Sequence, residues 1–525
     1  MLRFMVLFAI AAAGFVVGAE PTREVVEKHR DPKIRVYGKY SLVKLPIKTG
    51  VKIWNPTAIT KDSKGRMWVA NYVGEIYSLH DKDGDGLEDH AEFFCNVKDD
   101  KLYYPTTILW VGDELLVGTP KEIRAYKDTD GDFKADESRV FFNDFPCGGH
   151  LFDWTFALEL GPDDKIYLIF CTDYLGPNPP EDPKGYRGAI VTLSKDGTNP
   201  EVYATGLRYA YGMALTEEGD VFFTDNNGGG NPTEEINFAE KGKFYGHNTK
   251  KYGELPAVQS LVKIKHGFGS GGLEYNLKKN DFAGTAGNLF MACWGPDGRW
   301  DRGSLLRFEL TKKADGGYDA KEILVTSEFP KIIDLKFADN GDLYIAQFGK
   351  EGPSHRPADK PYGAIYRMMA TDWAKEDVPL AQLPFVEGDK VKGKALFEAR
   401  CATCHLAERN KKKMLGPNLA EIGKMFDRKE ILRDIKDPSA GIKTDYEQYH
   451  VTAKDGTTYI GRKLWARRGE VRLVTAGNQV VHLKRGETES QKMVEGSMMP
   501  PGLLEGLSEQ EISDLLAYLK VRESE

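Results

Sequence analysis

At 525 residues, with 41% hydrophobic, 29% charged and 11% aromatic residues, the chain is long enough for more than one core and too apolar to be disordered. Its net charge of −7 gives no support to a nucleic-acid surface. The chain opens MLRFMVLFAIAAAGFVVGAE, with one basic residue (Arg3), an apolar stretch over residues 4–17 and small side chains at Val17 and Ala19. That is the pattern of a secretory signal over residues 1–19, cleaved before Glu20. An uncleaved anchor is the other reading, but the run falls short of the ~20 residues that a spanning helix needs. No later stretch is apolar enough to cross a membrane, so a periplasmic or secreted mature protein is expected. In an oxidising compartment Cys95, Cys147, Cys171 and Cys293 can pair, with connectivity left open.

From residue 35 to residue 370 the organising signal is repetition. Hairpin-like units recur roughly every fifty residues: DSKGRMWVANY from Asp62, VGDELLVGT from Val111, GPDDKIYLIF from Gly161, TEEGDVFFTDN from Thr216, AGNLFMACW from Ala286 and ADNGDLYIAQF from Ala338. Each is a turn followed by an apolar or alternating strand, and almost nothing before Thr371 has helical periodicity. A mainly β fold follows, a β-propeller of six four-stranded blades around a channel. A single β-sandwich would not use so long a region in such even units.

Two loops in this region carry carboxylates at cation-binding spacing. DKDGDGLEDHAE satisfies D-x-[DN]-x-[DN]-G-x5-E in full. Asp81, Asp83 and Asp85 supply carboxylates, Gly86 allows the sharp turn, Leu87 offers a carbonyl, Asp89 takes the water-mediated position and Glu92 closes the site. A structural calcium loop without the helix pair of an EF-hand is the expectation; a polar hairpin tip is the alternative. DTDGDFKADE from Asp128 has Phe133 in the glycine position and Arg139 in the closing one, so it reads as a weaker site or an ordinary turn.

GPDDKIYL, GLRYAYGMAL (206–215) and EEINFAEKGKFYGHN (234–248) resemble stretches of the soluble quinoprotein glucose and sorbosone dehydrogenases and of related propeller proteins classed as membrane-bound dehydrogenases. The resemblance implies a propeller whose channel mouth holds pyrroloquinoline quinone, with Arg208 in the position of the arginine that faces the cofactor. It also implies a histidine base eight residues before the GPD glycine. Here that position is Asp153, and His150 lies three residues earlier in GGHLFDW. A carboxylate whose pKa is raised by burial can act as a base; otherwise both are polar loop residues.

Residues 371–389 read as a linker, with Pro379 and Pro384 and no strand pattern. From residue 390 to residue 522 the pattern changes. VKGKALFEARCATCH has helical character, with Gly393 and Phe397 on one side. Cys401 and Cys404 are spaced to form thioethers with haem vinyl groups, and His405 to bind the iron. A chance match, a disulfide or a zinc pair are the bland alternatives. LGPNL offers the Pro417 carbonyl to orient the histidine, and SMMPPG offers a thioether, Met499 or its rival Met498, for the opposite face. Met414, Met425 and Met493 read as packing residues, and His450 or His482 would serve only in a bis-histidine site. LSEQEISDLLAYLKV is a terminal helix capped by Ser508 with Glu511, and Tyr518 resembles the aromatic that crosses the first helix in class I cytochromes c. The basic run 409–413 beside the CxxCH is a solvated face or a patch that steers an acidic redox partner.

Between these motifs, YHVTAKDGTTYIGRKL and EVRLVTAGNQVVHLKR each read as strand, two-residue turn, strand. With DPSAGIKTDYEQY they resemble the Pirellula/Verrucomicrobium-type haem-binding domain, which implies a small, mainly α class I cytochrome c with a β insertion. The expected protein is an exported oxidoreductase whose propeller oxidises a sugar or alcohol and passes electrons through one haem c to a redox partner or respiratory chain. The alternative is a propeller that only binds a carbohydrate or protein, tethered to the same electron carrier.

Overall fold

The computed structural model describes residues 20–519 apart from 32–33, 49–52, 147–154, 172–181, 227–233, 248–254, 265–268, 296–302, 350–362, 374–386, 408–413, 421, 426–427, 440–441, 443–445, 465–468 and 495. The expected signal, most of the linker, the basic run 409–413, Cys147, His150 and Asp153 lie outside the described residues. The chain divides into two compact units, one with every strand up to residue 370 and one with the elements from residue 390 onward.

The first unit opens with α1 (Arg23–His29), capped by Thr22. Its strands then form six antiparallel sheets of four strands, the blades of a propeller, among the described residues. The innermost strands are Pro56–Lys61, Thr107–Val111, Thr155–Leu160, Met213–Leu215, Ser270–Tyr275 and Ile332–Phe337. Each leads into a strand sandwiched between neighbouring blades, through a tight turn except in blade five, where residues 276–288 intervene. Such a strand is covered on both faces, which is why Met67–Asn71 and Leu343–Gln347 are buried throughout and read as apolar runs. The first turn shows how the repeated polar residues work. Asp62 accepts the N–H groups of Lys64 and Arg66, the Arg66 guanidinium at 2.6 Å and the Trp68 indole at 3.0 Å, so one carboxylate fastens turn and strand.

The ring closes with chain from its other end. Tyr40–Lys44 pairs with Ala364–Ala370 as the outermost strand of the sixth blade, in register from Tyr40 opposite Ala370 to Lys44 opposite Tyr366. Arg35–Val36 adds a fifth strand to the fifth blade. At the far end of the inner strands, Lys336 of blade six lies 3.3 Å from Glu159 of blade three and 3.0 Å from Glu274 of blade five. Beside it Asp334 accepts the N–H of Ile59, in blade one, at 2.9 Å. Four blades are therefore tied across the channel by polar groups, where a buried pair must satisfy its partners or be strongly destabilising.

Cys95, Cys171 and Cys293 are buried in blades one, three and five, and no disulfide joins any of the three to another. Desolvation pushes the Cys95 and Cys293 thiols up.

In the second unit α2 (Lys390–Arg400) starts at Asp389, whose carboxylate accepts the N–H groups of Val391 and Lys392. The short α3 (Ile422–Met425), α4 (Arg428–Lys436) and α5 (Glu509–Tyr518) follow. Ser508 and Glu511 form a capping box on α5. Helices α2 and α5 cross where Gly393 leaves room, because a Cβ there would lie 1.8 Å from the Asp514 carbonyl oxygen. Next to the crossing, the Phe397 and Tyr518 rings stand 5.4 Å apart.

The inserted segment is a five-stranded antiparallel sheet, in the order Val480–Leu483, Val471–Thr475, Thr458–Leu464, Gln448–Ala453, Thr488–Val494. Two features depart from the sequence expectation. Both hairpin loops have three residues, 454–456 and 476–478, closed by hydrogen bonds between Ala453 and Thr457 and between Thr475 and Gln479. The fifth strand was hidden because Thr488–Val494 is mostly exposed and carries no apolar alternation.

Candidate functional site

The CxxCH is held in a turn that continues α2. Cys401 N–H donates to the Phe397 carbonyl at 2.8 Å, and His405 N–H to the Cys401 carbonyl at 3.0 Å. Both thiols are half-buried and not joined to each other. Burial raises them above the usual thiol value, with the Arg400 guanidinium pulling Cys401 back.

The LGPNL segment runs alongside. Gly416 N–H donates to the Cys404 carbonyl at 2.8 Å and Leu419 N–H to the Leu406 carbonyl at 2.6 Å. Between these, His405 Nδ1–H donates to the Pro417 carbonyl at 2.7 Å, which sets the tautomer and leaves Nε2 as the electron-pair donor. Burial lowers the imidazole pKa, and the bond to Pro417 opposes the shift. The glycine of LGPNL is required: a Cβ at Gly416 would lie 2.6–2.8 Å from the His405 ring atoms. Two neutral thiols and an oriented imidazole make a donor set that suits haem iron and not a hard cation.

Met498 and Met499 are both half-buried. Their turn is fastened by Met499 N–H to Ser497 Oγ and by Ser497 N–H to Ser439 Oγ, each at 3.1 Å. Arg400 at the end of α2 donates to the carbonyls of Leu503 and Glu505, at 2.8 and 3.1 Å, tying the CxxCH side to the segment after the methionines. Of the other candidates, Met414 is buried, Met493 is 54% exposed on the sheet, His450 meets Gln448 at 2.7 Å and His482 meets Glu470 at 3.2 Å.

In the propeller, the end at which the inner strands begin gathers rings from five blades. Tyr72 stacks on Tyr104 at 4.7 Å and meets Phe348 edge-on at 5.8 Å; Phe156 stacks on Tyr211 at 4.0 Å and meets Tyr209 at 5.2 Å. The Lys331 ammonium lies over Phe348 at 4.8 Å, and burial lowers its pKa to about 7.

Arg208 is buried at the same end. Its Nη1 donates to the Asn226 carbonyl at 3.2 Å, and its backbone N–H, with those of Tyr209 and Asn226, is received by Asp225. Burial drives Asp225 to about 7 against the N–H groups of Arg208 and Tyr209. Burial first, and then Arg208, lowers His247 to about 4. Asn226, Ser270 and Glu234 continue the network by hydrogen bonds. Asp225, Asn226 and Glu234 stand in the TDN and EEIN stretches and Ser270 in neither, and nothing in the spacing says that they meet.

The first acidic loop is bound differently from the EF-hand pattern. Asp81, Asp83 and Asp89 bring carboxylate oxygens within 4.8 Å of one another. Asp81 accepts the N–H groups of Gly84 and Gly86, and Asp85 accepts that of Leu87. Glu92 does not close the loop. It sits on the strand His90–Asn96, paired with Lys82 at 2.6 Å, because the chain has already turned into sheet by His90. Asp128, Asp130 and Asp136 cluster in the same way in the second loop, while Arg139 pairs with Glu114 at 2.6 Å. In both loops the carboxylate in the ninth position joins the cluster.

Among the described residues no helix is long and apolar enough to cross a membrane. Residues 47–291 match a family described as a domain of unknown function, DUF7133. Three solved structures are similar to the propeller. The holo pyranose dehydrogenase PQQ domain of Coprinopsis cinerea has 12% identity, covering 64% of this chain and 97% of its own, with a TM-score of 0.48. The PQQ-bound aldose sugar dehydrogenase of Streptomyces coelicolor has 16%, covering 64% and 99%, with a TM-score of 0.47. The apo aldose sugar dehydrogenase of Escherichia coli has 14%, covering 63% and 99%, with a TM-score of 0.47. Residues 391–464 match the cytochrome c family. With the sheet pairings above, the chain is a fusion of a six-bladed β-propeller and a cytochrome c domain.

Proposed function

We propose that this is an exported electron-transfer protein: the propeller oxidises a small hydroxylated substrate, a sugar or alcohol, and the cytochrome c domain passes the electrons to a redox partner. The bond from His405 to Pro417, with Gly416 moulded to the imidazole, carries the reading, because it leaves Nε2 free to bind iron and holds the ring still. Cys401 and Cys404 would anchor haem c covalently. His405 and Met499 would hold the iron, a ligand pair that suits an electron relay. The group supplies a reversible one-electron couple; the protein supplies a rigid ligand set.

At the channel mouth, the buried Arg208, the Lys331 amine and the ring faces of Tyr72, Tyr104 and Phe348 suit a flat anionic cofactor such as pyrroloquinoline quinone. When bound, that group supplies the hydride acceptor. Arg208 would hold its anionic edge, and Asp153 or His150 would take the hydroxyl proton. The Asp81 loop would hold calcium for structure, through Asp81, Asp83 and Asp89.

The test is an optical spectrum of protein matured with the haem-attachment machinery, recorded before and after sugars and alcohols are added with quinone and calcium present. Haem reduction by one substrate class is the expected result. A c-type spectrum that no substrate alters would keep the carrier and leave the propeller as a binding module, the reading favoured by aspartate in place of histidine at residue 153.

A further inference from the structure

The segment after the CxxCH and the LGPNL segment are laced together rung by rung. Cys404 meets Gly416, His405 meets Pro417 and Leu406 meets Leu419. One rung earlier, no backbone hydrogen bond joins Thr403 to Leu415 among the described residues. The gap between them is bridged by Asn478, at the tip of an inserted hairpin: its Oδ1 accepts the Leu415 N–H at 2.7 Å, and its Nδ2 donates to the Thr403 carbonyl. A backbone N–H needs an acceptor and a carbonyl needs a donor, and the Asn478 amide supplies both from one side chain.

We propose that Asn478 is a positioning residue for the haem-bearing loop, through which the inserted β-sheet fixes the first rung of the ladder holding His405. The proposal rests on the reading of Cys401, Cys404 and His405 as a haem site.

A plainer role has to be weighed against it. Asn478 has a φ of +58°, in the left-handed region that asparagine tolerates better than most residues, so it could be there for the turn alone. The other hairpin tip of the same sheet shows what that looks like. Asp455 turns its carboxylate onto the N–H of Thr457 at 2.9 Å, within its own loop. Asn478 instead directs both ends of its amide to segments 63 and 75 residues away in sequence. A turn residue gains nothing from that reach; a brace does.

The experiment compares full-length, haem-loaded wild type with Asn478→Gly, Asn478→Asp and Asp455→Ala. Glycine keeps the left-handed turn and removes the amide, so the hairpin survives. Aspartate keeps the acceptor for Leu415 and loses the donor to Thr403. Three quantities are read: the reduction potential, the weak near-infrared band of methionine-ligated ferric haem, and the alkaline pH at which that band disappears. The expected result is about tenfold more ligand-dissociated haem in Asn478→Gly at a given pH, a midpoint about one pH unit lower. The potential should shift, Asn478→Asp should be intermediate and Asp455→Ala unchanged. If Asn478→Gly keeps the wild-type potential, band and midpoint, even with a lower melting temperature, the residue serves the turn only and the proposal fails. Wild type that attaches no haem overturns the haem reading and this proposal together; normal wild type with an unchanged glycine variant overturns this proposal alone.

Discussion

The two units solve the problem of building a site in opposite ways. In the cytochrome unit the ligand-bearing loop and the segment that braces it lie within twenty residues of chain, from Cys401 to Leu419, and most of the bonds between them are short-range. In the propeller the mouth is assembled from single residues of five blades, Tyr72, Tyr104, Phe156, Tyr211 and Phe348, none near another in sequence. A site of the first kind is specified by a motif. One of the second kind is specified by the ring, and exists only when the ring is closed.

The contrast can be broken most forcefully at the channel. Lys336→Met should leave Glu159, Glu274 and Asp334 together without their cation, costing about 3–5 kcal/mol. Calorimetry of the full chain should show the propeller transition falling while the loss of Soret absorbance on heating stays in place. Equal movement of both would mean that the units do not melt separately.

The matching lesion in the other unit is Gly393→Ala, which sets a methyl 1.8 Å from the Asp514 carbonyl oxygen and forces the α2–α5 crossing apart. Overpacking of this kind costs about 3 kcal/mol at the upper end of the usual range. Haem attachment should fall and the propeller transition should not move.

Calcium sharpens the comparison further. If the Asp81 loop binds the ion, a concentration of 100 times Kd stabilises the propeller by about 2.7 kcal/mol. Chelation, or Asp81→Asn, should lower only the propeller transition; no response to chelator would leave the loop an ordinary turn.

The smallest effect is in pH. Burial raises Glu159 and Asp334 to about 7, so the folded propeller holds their protons more tightly than the unfolded chain does. That contribution is complete below the ordinary carboxylate range and is lost as pH rises through about 7. The propeller transition should therefore fall from pH 5 to pH 8, and Glu159→Gln should flatten the slope; an unaltered slope would place the cause elsewhere.

What could be read in the sequence follows the same division. The blades were legible because each repeats a polar turn and a run buried on both faces, as Asp62 and Met67–Asn71 do. The closing strand Tyr40–Lys44 was not, since it has no hairpin partner beside it in the chain. CATCH and LGPNL announce a histidine and a carbonyl to orient it, but Gly416 and Asn478 gain their roles only from what lies against them. Glu92 was misplaced because the EF-hand template assumes a helix after the loop, and here a strand turns the side chain toward Lys82. Asp225, Asn226 and Glu234 stood within quoted motifs, and their common network with Arg208 is a product of folding.

The pairing of Tyr40–Lys44 with Ala364–Ala370 also has a consequence for how the molecule is made. During synthesis the early strand must wait for a partner more than three hundred residues behind it. Until then Tyr40–Lys44 offers its unpaired edges to any passing chain. A stalled or truncated product ending before that partner would be a sticky, unbuckled ring. The cytochrome segment emerges afterwards, so a chain that reaches its haem has already carried every strand the ring needs to close.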